Sequence, residues 1–199
     1  MAANPLSAPP EVLRTEAFPA INVPATTLIR ISSFTTNEPF FGNSGNNRFD
    51  APHPDPRYRT SYVGTSLAVA VAETLLHDEA PVHGRYVLPL DALRNLHVLR
   101  FEGEVLLLLP LIGAQLKRLG GNADLAGSYD YSKTHAWSAA VYDNPAKYDG
   151  ILYMSRHLNT EQAVVLFDRA ASKISLSKHC TLIEDPGFPA VARDLGIIV

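Results

Sequence analysis

The chain has 199 residues, 46% of them hydrophobic and 19% charged, which is the make-up of one globular domain with enough length to bury a core. A net charge of -3 and a pI near 6.1 leave no basic footprint, so direct nucleic-acid binding is not expected. The single cysteine, Cys180, excludes an internal disulfide and a cysteine-built zinc site, and a reducing cytoplasm is the expected compartment.

In chain order, the opening stretch carries Pro5, Pro9, Pro10, Pro19 and Pro24 among small residues. It reads as an extended or flexible segment over 1–24, with the compact domain expected over 25–199. No basic region followed by an apolar core marks it as a signal peptide. "TTLIRIS" (26–32) reads as a strand with Leu28, Arg30 and Ser32 on one face. Arg30 there is either a guanidinium fork for a phosphate or carboxylate, or an edge-strand surface arginine. The long polar connection at 35–59 is dense in Gly, Asn and Pro, and a loop of that length is expected to bind something. Its Arg48 offers a second phosphate contact, or simply a solvated charge.

"TSYVG" (60–64) is a short strand whose Tyr62 either stacks on a planar ring or is a core tyrosine with a satisfied hydroxyl. A Thr65-Ser66 start signal opens a helix expected to run to Asp78. Its Glu73 shares a stripe with Val69, Ala70, Leu76 and His77. A carboxylate so placed either sits at a solvent-facing edge or needs a partner or ligand. Strands follow at 84–90 and 96–101, then the apolar run "VLLLLPLIG" (105–113), too short for a bilayer span of ~20 residues and a source of subunit contacts if it is not core. Helices are expected at 111–121 and from an N-cap at Ser132 to Asp143. "ILYM" and "AVVLFD" read as strands, the first ending at Ser155, where a serine either lines a cleft or closes a turn. The irregular order of strands and helices points to an α+β fold with a mixed sheet. The seven histidines show no metal-ligand spacing, so no metal is expected.

Arg30 in a first strand, "NRF" in a polar loop, "SYVGTSLAVAVAET" with Tyr62 and Glu73, and "YDGILYMSR" with Ser155 together resemble the RES domain, named for an arginine, a glutamate and a serine. The resemblance covers roughly 26–168, with Asn47 where relatives often carry glycine. It implies a fold like that of the ADP-ribosyltransferase toxins, with NAD⁺ as substrate and no separate cofactor. Arg30, Glu73 and Ser155 would be the catalytic set, and Arg48 and Tyr62 would join them in binding. The implied activity is that of a toxin that depletes NAD⁺ by hydrolysis or phosphorolysis, or one that ADP-ribosylates a protein; a non-catalytic nucleotide-binding module is the reading from another class. The implied partner is an Xre-like antitoxin, or an immunity protein if the toxin is a secreted effector; membranes are not expected partners, and a homo-oligomer is left open.

Overall fold

The computed structural model describes residues 5–54 and 56–198. In chain order the elements are α1 (Val12–Thr15), β1 (Ile21–Pro24), β2 (Ile29–Ser32), β3 (Thr60–Gly64), α2 (Leu67–Leu75), β4 (Tyr86–Val87), α3 (Leu90–Arg94), β5 (His97–Gly103), β6 (Val105–Pro110), α4 (Gly113–Arg118), α5 (Asp124–Gly127), α6 (Tyr131–Asp143), β7 (Gly150–Met154), β8 (Gln162–Phe167), β9 (Ile174–Thr181), α7 (Phe188–Leu195) and β10 (Ile197–Ile198). Eight strands form one sheet in the order β1-β6-β7-β8-β3-β2-β5-β9, and β4 pairs with β10 apart from it. Within the large sheet only β6 and β7 run parallel, so this is a mixed α+β architecture.

Strand β8 shows why the sheet lies at the centre. Val165 and Phe167 pack with Trp137, Phe49 and Tyr58 on one face, while Val164 and Leu166 pack with Leu28, Leu99 and Leu108 on the other. With both faces covered, the strand reads as a continuous apolar run rather than an alternation. In β6 Leu106, Leu108 and Leu109 are likewise fully buried, so within the apolar segment at 105–113 these leucines are core and supply no subunit surface, while Val105 is exposed. No helix among the described residues is long and apolar enough to cross a membrane.

The N-terminal segment departs from its expected extended course. Leu13 is fully buried, the Trp137 indole donates to the Ser7 carbonyl at 2.9 Å, and β1 pairs with β6. Asn144 Nδ2 ties the segment down further by donating to the carbonyls of Leu13 and Glu16. The fold therefore begins before Pro24; the prolines set the path between anchors rather than preventing any. Other boundaries shift locally. Residues 25–27 are a 3₁₀ turn ahead of β2, the strand expected at 84–90 keeps only Tyr86 and Val87, and Asp130 rather than Ser132 caps α6, accepting from the Ser132 N–H at 2.9 Å. Helix α2 starts as expected, with Ser66 Oγ accepting from the Val69 N–H, but ends at Leu75 instead of Asp78.

Two features of β3 leave a gap in the sheet and a helix above it. The strand pairs with β8 along its whole length but with β2 only at Ile29 and Gly64, so the sheet opens between β2 and β3 beyond that point. At Gly64 a Cβ would lie 2.8 Å from the Ala70 backbone nitrogen; the bare glycine lets α2 double back closely over the strand end. Helix α2 thus packs on β2, β3 and β8, directly above the opening.

Candidate functional site

The opening between β2 and β3 leads into a cleft of about 720 Å³, within the range of small-molecule sites. Arg30, Arg48, Tyr62 and Glu73 all line it, together with Tyr131, Tyr153, Arg156 and His157. Ser155 is buried behind the wall and is not among the lining residues.

Glu73 is held by the turn after β7. Its Oε1 accepts from Ser155 Oγ at 2.5 Å and from the Arg156 N–H at 3.0 Å. Ser155 Oγ in turn accepts from the Leu158 N–H at 3.0 Å, so the hydroxyl is fixed from both sides. Among the described residues Oε2 has no hydrogen-bond partner. The carboxylate is thus oriented by one oxygen and presents the other, which settles the alternatives at this position: Glu73 has a structural partner and a free edge in a cleft. Ser155, expected to hold the substrate by hydrogen bonds, here donates to Glu73 and orients its carboxylate. Ser155→Ala is expected to lower kcat about tenfold while KM moves less than twofold, because the Arg156 N–H remains to hold Glu73 in part; steady-state kinetics separate the two constants.

Arg30 bridges the opening. Nη1 donates to Ser61 Oγ at 2.8 Å and reaches the Tyr62 carbonyl at 3.4 Å, while Nε lies 3.3 Å from Glu38 Oε2. It sits on an interior strand, not an edge. Burial lowers its pKa and Glu38 opposes that shift, but a guanidinium so placed stays charged. Arg48 is buried, donates from Nη1 to the Ser128 carbonyl at 2.8 Å and lies 4.9 Å over the Tyr131 ring. Burial lowers its pKa too, with Tyr131 pulling the other way and Arg156 adding to the fall.

The loop that carries Arg48 is built around Asp50, which is 1% exposed. Asp50 Oδ1 accepts from Thr60 Oγ1 at 2.5 Å and Tyr62 Oη at 3.1 Å. Its Oδ2 accepts from Ser44 Oγ, the Asn47 N–H and Asn47 Nδ2 at 3.0–3.1 Å. Asn47, at the position where glycine is usual, is one of the residues that fold the loop onto Asp50. Tyr62 Oη also accepts from the Phe49 N–H at 2.8 Å, so the hydroxyl is spent on the loop and only the ring faces the cleft. Burial and Asp50 push the Tyr62 phenol well above 10, and burial followed by Glu73 does the same for Tyr153.

Sequence reasoning missed Asp50, Arg156, Tyr131 and a histidine pair. His157 Nε2 lies 3.2 Å from His77 Nδ1, beside Glu73. Burial lowers the His157 pKa below 6.5, with Glu73 opposing and His77 reinforcing. The four-residue spacing of Glu73 and His77 was visible in the chain; the meeting with His157 needed the β7 turn.

A search of curated proteins finds no match. Among solved structures, the chain is similar to one in the crystal structure of the M. tuberculosis MbcT–MbcA toxin–antitoxin complex, with a TM-score of 0.60 and 14% identity over 88% of this chain and 90% of that one. The likeness is one of fold, a mixed α+β sheet with helices. The RES domain model matches residues 27–185, from the turn before β2 to the buried Asp185, and with it Arg30, Glu73 and Ser155. The chain belongs to the RES domain family.

Proposed function

We propose that this protein consumes NAD⁺ by cleaving the bond between nicotinamide and ribose, with water or phosphate as acceptor. The observation that carries the reading is Glu73, a carboxylate fixed through Oε1 and free at Oε2 in a cleft that also holds the buried Arg48 and the half-buried Arg30. Charge-assisted donors of that kind suit a diphosphate, and Arg30 and Arg48 are assigned to it. Glu73 then meets the ribose. As the C1″–N bond breaks, its electron pair goes to the pyridinium nitrogen and nicotinamide leaves neutral, so no strong leaving-group acid is required. The ribose takes on oxocarbenium character, which a carboxylate stabilises electrostatically and by hydrogen bonds to the ribose hydroxyls. The acceptor oxygen adds at C1″ and loses its proton, giving ADP-ribose from water or its 1″-phosphate from phosphate. The rings of Tyr62 and Tyr131 shape the pocket for the planar leaving group.

Depletion of NAD⁺ would make the protein a toxin, kept in check by a cognate antitoxin or immunity protein. The toxin–antitoxin complex among its structural relatives supports that reading. The test is to incubate purified protein with NAD⁺, with and without phosphate, and separate the products by chromatography. Release of nicotinamide is expected, and ADP-ribose or its 1″-phosphate names the acceptor. No nicotinamide in either buffer, from folded protein, overturns the reading and moves the search to a protein acceptor or a binding role.

A further inference from the structure

Glu73, His77 and His157 each offer one ligand atom, and the three atoms lie within 4.8 Å of one another. The two imidazoles face nitrogen to nitrogen at 3.2 Å. Two nitrogens bound at ~2.0–2.1 Å to one tetrahedral zinc ion stand about 3.3 Å apart, so the rings already have the separation that a shared ion requires. A plain N–H···N hydrogen bond between the rings accounts for that distance alone. It does not account for the carboxylate within the same radius, oriented by Ser155 and Arg156 and left with a free oxygen.

We infer that Glu73, His77 and His157 form a binding site for a borderline divalent cation of the Zn²⁺ type, with a coordination position left open to the cleft. Two imidazoles and one carboxylate favour zinc over the all-oxygen cations calcium and magnesium. Arg48 and Arg156 line the same cleft and oppose a dication, so the site is a weak and reversible one rather than a structural one. Its consequence rests on the NAD⁺ reading: an ion on Glu73 takes the oxygen that would meet the ribose, so metal and substrate exclude each other.

The site is tested on the full chain without NAD⁺. Wild type, His77→Gln and His157→Gln are titrated with Zn²⁺ against a chromophoric chelator and with Co²⁺ followed by visible absorption, each variant being checked for folding by circular dichroism. Wild type is expected to take up one Zn²⁺ at the site, each substitution to weaken it at least tenfold, and Co²⁺ to give the intense bands of a four-coordinate ion that both variants lose. Failure of wild type to bind, or binding of equal strength in both variants, overturns the inference. Neither readout uses NAD⁺ turnover, so failure of the metal site and failure of the proposed activity are told apart.

Discussion

Glu73→Gln is expected to lower nicotinamide release from NAD⁺ by about 10³-fold with no loss of folded protein, because it removes a charge and little else. The amide oxygen can take the place of Oε1, where Ser155 Oγ and the Arg156 N–H converge, so the contacts that orient the side chain survive. What changes is the other end: the carboxylate oxygen that, in the proposed reaction, would stabilise the developing positive charge becomes an NH₂ that cannot. Glu73→Ala would mix two effects, since it also leaves Ser155 Oγ without its acceptor. The measurement is a product assay beside a thermal melt. A glutamine variant that keeps wild-type turnover would remove Glu73 from the chemistry.

The second large effect is expected on stability, and through it on binding. Asp50→Ala takes the shared acceptor from Thr60 Oγ1, Tyr62 Oη, Ser44 Oγ and two groups of Asn47 at a nearly fully buried position. Leaving such donors unsatisfied costs of order 1–3 kcal/mol for each group that finds no water, and a total of about 3 kcal/mol is expected. For a chain of this size that corresponds to a fall in Tm of roughly 6–12 °C. The loop loosens before the sheet does, so KM for NAD⁺ rises more than kcat falls. Asp50→Asn restores only part of the loss, because its NH₂ must face either the loop donors or the strand hydroxyls. Thermal denaturation and kinetics on the two variants check the order.

The parts of this fold legible in the sequence are those where local pattern and burial agree. Strand β3, the start of α2 at Ser66, and the apolar β7 and β8 stand where the residues place them. Strand β9 escaped because only Ile174 among its residues is buried, so its alternation carries little apolar signal. Helix α1 and β1 escaped because their anchors, such as the Trp137 indole on Ser7 and Asn144 on Leu13, lie some 130 residues away. In the site, Glu73 stood out as a charge among apolar neighbours. Asp50 did not, since an aspartate in a Gly- and Asn-rich loop looks solvated until β3 is laid beside it. Ser155 was recognised by resemblance but assigned to the ligand; its actual contact is with a side chain 82 residues earlier, which no local pattern encodes.

The single pairing of β2 with β3 divides the large sheet into a five-strand plate, from β1 to β3, and a three-strand plate of β2, β5 and β9. Arg30 belongs to the smaller plate and Tyr62 and the Ser155 turn to the larger, with α2 resting across both. Whatever molecule fills the cleft is gripped from two bodies that share little backbone bonding, and so serves as a cross-brace between them. Filling the cleft then braces the sheet across the join where backbone pairing is sparsest, with one registered pair between β2 and β3.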